Sequence, residues 1–215
     1  MKKLMVWFIL MAVVFSSVGV GRVAADNGHK VLILGDSLTI NGGWTDFVEY
    51  NHTVVAKVGM DTTWILEQLD LLIASGEILQ YDTAVVWIGV NCPFYALEGI
   101  PEIYRILHSY GIKIVGITQY KHNYMEIVDE RTLQQIEEFD EIIRTQADQV
   151  IDLALDPEVV DTKGFVHLEI TQDGLHPLTS FARDFVSSRV NEKLEKLYAP
   201  VQTVMRHFPK GRPKR

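Results

Sequence analysis

Three side chains of this 215-residue sequence have the types and spacing for nucleophilic chemistry: Ser37, Asp173 and His176. Ser37 sits in Gly35-Asp36-Ser37-Leu38-Thr39, directly after the apolar run Val31-Leu32-Ile33-Leu34. Such a run reads as a buried strand. The turn after it lifts the hydroxyl to the carboxyl end of the strand, where open α/β sheets form their ligand crevices. Far downstream, Asp173-Gly174-Leu175-His176 has the spacing that lets a carboxylate orient an imidazole. A free serine hydroxyl is a weak nucleophile and needs an adjacent base, itself held by a third group. Ser37 is the candidate nucleophile, His176 the base, and Asp173 the group that fixes the imidazole tautomer. An oxyanion forming at such a serine needs donors fixed in advance. The Ser37 backbone N–H, the Gly59 N–H and the Asn91 side-chain amide are the candidates; Gly59 has no side chain to keep substrate from its backbone.

These residues converge only if the surrounding elements place them. Lys30 to Leu34 reads as the first strand, and Trp44 to Tyr50 as a short helix after the turn Asn41-Gly42-Gly43. Thr53 to Lys57 is the second strand. Asp61, Thr62 and Thr63 offer N-caps for a helix from Trp64 to Ala74. Thr83 to Ile88 is nearly all apolar, as a parallel strand buried on both faces should be. A helix from Pro101 to Tyr110, a fourth strand from Lys113 to Thr118 and an amphipathic helix from Glu130 to Asp148 follow. Val150 to Leu153 is the fifth strand, and Leu178 to Tyr198 the last helix. Alternation of this kind predicts right-handed crossovers, a parallel sheet and helices on both faces. Ser37, Gly59 and Asn91 then lie after strands one, two and three, at one rim of the sheet. The polar and aromatic loop Gln119 to Asp129 follows strand four on the same rim, which brings Tyr120, His122 and Tyr124 near any substrate.

The set resembles the SGNH hydrolases, the GDSL esterase/lipase family. Gly35-Asp36-Ser37-Leu38-Thr39 matches the family's first block, Gly59 the glycine of the second, Gly89-Val90-Asn91 most of the third, and Asp173-x-x-His176 the last. The blocks occur in the family's order and span essentially all of the chain after its leader. The resemblance implies a three-layer α/β/α fold with a five-stranded parallel sheet of flavodoxin-like type. It also implies a metal-free Ser37–His176–Asp173 triad, with Ser37, Gly59 and Asn91 as oxyanion donors and ester cleavage through an acyl-enzyme. The third block departs from the usual Gly-x-Asn-Asp: Cys92 stands where the second Asp would brace the loop that carries Asn91.

Composition bounds the partners. Lys2 and Lys3, an apolar run from Leu4 to Val20 and the small residues Val23-Ala24-Ala25 have the layout of a signal peptide over residues 1–25, predicting export to the periplasm or medium and no membrane span once it is removed; an uncleaved anchor helix is the alternative, less favoured because the run is near the lower limit for a span. Subtracting the leader's Lys2, Lys3 and Arg22 from 20 basic residues leaves 17 against 28 acidic, a net charge of −11. Such a surface repels nucleic acid and anionic lipid. The Pro-containing basic stretch 201–215 reads as a solvated tail beyond a hydrolase domain at 26–200. No Gly-x-Ser-x-Gly elbow, phosphate-binding loop or paired Cys/His motif is present, so no cofactor or metal is expected. His29, His52, His108, His122, His167 and His207 lack ligand spacing and read as surface or structural; Trp44, Tyr120, Tyr124 and Phe94 read as core or rim. The short connections Gly42-Gly43 and Gly89 to Pro93 leave little chain for a lid, which favours small acyl groups on a small-molecule or glycan ester. An O-acyltransferase acting on an envelope polysaccharide would use the same residues, and a binding module could keep the fold without turnover.

Overall fold

The first strand, β1 (Lys30–Gly35), is paired on both sides by parallel neighbours, β2 (Asn51–Ala56) and β3 (Thr83–Trp87). Beyond β3 come β4 (Lys113–Ile117) and β5 (Gln149–Ile151), giving the order β2-β1-β3-β4-β5 with every pairing parallel. This computed structural model describes residues 28–122 and 129–199. The leader expected at 1–25, the tail at 201–215, Tyr124 and His207 lie outside the described residues.

Each strand of a two-faced sheet sends alternate side chains to opposite layers. In β1, Val31 and Ile33 join one core with Trp44, Val186, Val190 and Leu194, while Leu32 and Leu34 join the other. That second core holds Ile65 and Leu69 of α2 (Thr62–Ser75), Ile100 and Ile103 of α3 (Pro93–Ser109), and Ile136 and Phe139 of α4 (Glu130–Gln146). Both faces of β1 are therefore dry, which is why it reads as an unbroken apolar run. The fold class is the expected one, an α/β/α sandwich about a five-stranded parallel sheet.

The cap expected at Asp61 forms, and the structure adds one at Asp129. Asp61 accepts from the Thr63 and Trp64 N–H groups at the start of α2, and Asp129 from Thr132 N at 2.7 Å at the start of α4. Several elements differ in bounds or type. The third helix starts at Pro93, not Pro101, because a first-turn proline gives up an N–H that has no helical partner. Pro101 lies inside it, and the apolar face Ala96, Ile100, Ile103, Leu107 continues past. The helix expected over Trp44 to Tyr50 is a 3₁₀ turn, Trp44–Phe47, preceded by a one-turn helix α1 (Ser37–Asn41). β5 covers Gln149–Ile151 and not Val150 to Leu153, because pairing to β4 ends at Ile117↔Ile151. The last helix runs without interruption from Thr179 to Tyr198, as expected to within one residue, but a π turn at Ala182–Val186 separates α5 (Thr179–Phe181) from α6 (Ser187–Tyr198). Ala182 packs so tightly on Gly42 that a Cβ on that glycine would fall 2.4 Å from the alanine's own.

Candidate active site

A tight turn delivers Ser37 to the rim. A Cβ on Gly35 would lie 1.9 Å from Thr39 Oγ1 and 2.7 Å from the Trp87 carbonyl, so only glycine fits. The Thr39 hydroxyl donates to that carbonyl at 3.2 Å and ties α1 to β3. Asp36 caps α1, accepting from Leu38 N at 2.9 Å through Oδ1. Its other carboxylate oxygen is buried without a hydrogen-bond partner among the described residues. Burial pushes this carboxyl up to about 7 although the Leu38 N–H favours the charged form. Ser37, the first residue of α1, is almost wholly buried.

The chain then returns from β5 through a long segment to the turn at Asp173. One carboxylate oxygen, Oδ1, accepts from the Leu175 and His176 backbone N–H groups at 3.1 and 2.8 Å, an Asx-type turn. The other, Oδ2, lies 2.7 Å from His176 Nδ1, and His176 Nε2 lies 2.9 Å from Ser37 Oγ. Partial burial pulls the Asp173 carboxyl up, but the His176 side-chain and backbone bonds and the Leu175 N–H outweigh it and hold the group below its usual range. An ionised carboxylate only accepts, so Nδ1 carries the proton and Nε2 faces the serine hydroxyl as acceptor. The structure thus joins three residues separated by up to 139 positions into one relay.

Gly59 and Asn91 lie at the same rim, after β2 and β3. Gly59 is the third residue of a turn closed by Met60 N to Lys57 O at 3.3 Å, and its φ of 76° is one that side chains avoid. The Asn91 amide donates to the Met60 carbonyl at 2.9 Å, so the loop after β3 is fastened to the loop after β2. One of its two amide hydrogens is committed there. Cys92 is the N-cap of α3 and makes no side-chain cap bond, a bond that an aspartate there could supply.

Of the two described residues expected near the relay after strand four, Tyr120 takes the core place among the readings open to it, and His122 is interior and not at the surface. Tyr120 is 1% exposed, and its hydroxyl donates to the Leu175 carbonyl inside the Asp173–His176 turn. His122 is also buried. Burial, then the neighbouring His176, pull its imidazole down to about 4, against the opposing pull of Asp173. It is therefore neutral near pH 7. A polar–aromatic loop after strand four pointed to this region; no periodicity marked these residues as interior. Trp44 is core, tilted against Trp87, and Phe94 is exposed at the start of α3. Among the described residues no cluster of three His, Cys, Asp or Glu side chains could hold a metal ion, and no helix is long and apolar enough to cross a membrane.

No protein-family model matches the chain, and no curated protein sequence matches it significantly. Solved structures do. A GDSL-like lipase from Bacteroides thetaiotaomicron superposes with a TM-score of 0.65 at 19% identity, covering 78% of this chain and 88% of its own. An acetyl xylan esterase superposes at 0.58 with 18% identity, over 77% of this chain and 99% of its own. A psychrotrophic esterase from a Pseudoalteromonas species, in a structure inhibited by monoethylphosphonate, superposes at 0.55 with 15% identity, over 78% and 99%. Likeness at these identities is likeness of fold: the chain has the SGNH hydrolase fold that its four sequence blocks imply.

Proposed function

We propose that this protein is an exported serine esterase that cleaves carboxylic esters through an acyl-enzyme on Ser37. The observation that carries the reading is the unbroken relay from Asp173 through His176 to Ser37, at 2.7 and 2.9 Å. In acylation, Ser37 Oγ attacks the ester carbonyl carbon while its proton passes to His176 Nε2. The negative charge that develops on the carbonyl oxygen is met by the Ser37 and Gly59 N–H groups and the second hydrogen of the Asn91 amide. Collapse breaks the bond to the alcohol, which leaves with the proton from Nε2. Water then attacks the acyl-enzyme, again giving its proton to His176, and the acid departs as Ser37 is restored. Asp173 stays ionised throughout and stabilises the imidazolium.

Small acyl groups are the favoured substrates: only residues 88–92 link β3 to α3, and that connection has little length for a lid. The charged-then-apolar start of the sequence supports export. The fold's presence in an acetyl xylan esterase supports a glycan ester among the candidate substrates. The test uses the full chain and its Ser37→Ala variant on p-nitrophenyl esters from acetyl to palmitoyl. Turnover falling with chain length and lost in the variant is the expected result. Equal turnover by both proteins refutes the reading.

A further inference from the structure

The Asp173–His176 turn is closed by bonds within residues 171–177. Asp173 Oδ1 holds two backbone N–H groups, Thr171 Oγ1 accepts from Gly174 N at 3.0 Å, and Gln172 N donates to the His176 carbonyl at 2.7 Å. These bonds set the shape of the turn but not its distance from the sheet. A buried phenol supplies that distance. Tyr120 stands three residues past the end of β4, and its hydroxyl reaches the Leu175 carbonyl at 2.5 Å, beside the catalytic imidazole.

The backbone that carries this phenol is fastened on both sides. Gln119 N donates to Asp140 Oδ1 of α4 at 2.7 Å. Lys121 N donates to the Gly164 carbonyl at 3.1 Å, and the Lys121 carbonyl accepts from Val166 N at 2.9 Å. A rigid ring on an anchored backbone makes a strut of fixed length. Its far end is a hydrogen bond shielded from water, where loss of the donor leaves a buried carbonyl without a partner. Both Asp36, next to the nucleophile, and Asp173 lie close enough to act electrostatically on the phenol.

We propose that Tyr120 is a positioning residue: through the Leu175 carbonyl it sets how far the His176 imidazole stands from Ser37. The proposal rests on the reading of Ser37 and His176 as the acting pair, and it concerns geometry, not contact with substrate. Displacement of reacting groups by about 1 Å costs on the order of 100-fold, and a loosened strut gives part of that.

Tyr120→Phe removes only the hydroxyl. Tyr104→Phe is the control, since Tyr104 is an equally buried phenol whose hydroxyl has no hydrogen-bond partner among the described residues. The expected result for Tyr120→Phe is a kcat lowered about 10-fold or more, a KM within about twofold, and fluorophosphonate labelling of Ser37 slowed in step with kcat. Tyr104→Phe should change none of these. A Tyr120→Phe protein that melts earlier but keeps wild-type kcat and labelling would make the residue merely structural and overturn the proposal. The His176 Nδ1 proton, followed by NMR, gives a readout that needs no turnover. Faster exchange of that proton with solvent in Tyr120→Phe than in the wild type supports the strut, and equal exchange overturns it. Absence of both turnover and labelling in the wild type would sink the hydrolase reading alone, and the proton exchange would still decide the role of Tyr120.

Discussion

Replacing Asp36 by asparagine should make the protein's stability depend differently on pH, by an amount that follows from burial. The carboxyl has an ordinary value of 3.8 and stands at about 7 in the folded chain, where desolvation outweighs its bond from Leu38 N. Between those two pH values the native state holds a proton that the unfolded chain has released. The group therefore contributes stability that is fully present below pH 3.8 and is lost as pH rises through 7. A gap of about three units, at about 1.4 kcal/mol each, makes the contribution on the order of 4 kcal/mol. Asparagine keeps an acceptor for Leu38 N and cannot ionise. Its amide nitrogen inherits the unpartnered position of Oδ2, a penalty of roughly 1–3 kcal/mol that is the same at every pH. The diagnostic quantity is thus the slope, not the offset. Urea unfolding of both proteins at pH 5, 6, 7 and 8 should show the stability of Asp36→Asn relative to wild type rising by about 1.4 kcal/mol per unit up to pH 7, then levelling. A difference that stays flat across the series would refute the reasoning, since Asp36 would then titrate alike in the folded and unfolded chains.

Two further substitutions bear on the rim. Asn91→Ala should lower kcat on a p-nitrophenyl ester by about 10²–10³ with KM little changed, because it removes one oxyanion donor; a loss below threefold would deny the amide that role. Cys92→Asp should raise unfolding free energy by about 1 kcal/mol in urea, by supplying the N-cap bond that α3 lacks, and leave Asn91 on the Met60 carbonyl with esterase turnover intact.

Residues with a local signature were legible from sequence. Val31 to Leu34 announces a strand dry on both faces, Asp61 announces a helix start, and Gly35-Asp36-Ser37 with Asp173-x-x-His176 announces the relay. What stayed hidden depends on partners far away in the chain. Pro93 and Pro101 carry the same local start signal; the face Ala96, Ile100, Ile103 and Leu107, buried with the sheet residues Ile114 and Val86, runs through Pro101 and so selects Pro93. Nothing near Tyr120 says that its hydroxyl meets a carbonyl 55 residues later. The Asn91 amide likewise needs Met60, 31 residues earlier, and the two loops meet only because β2 and β3 flank β1.

The π turn at Ala182–Val186 has a consequence for chain length. Its Ser187 N–H reaches back five residues to the Ala182 carbonyl, so it stores one residue more than an α turn. On one side the chain is pinned by Ala182 against Gly42, close behind His176; on the other, Val190 and Leu194 are locked into the core. A deletion between Ser187 and Val190 would swing those core residues by about 100° around the helix axis. A deletion within the π turn would only convert it to an ordinary α turn. This is the place where a chain of this fold can shorten by one residue while its His176 end and its core end both keep their seats.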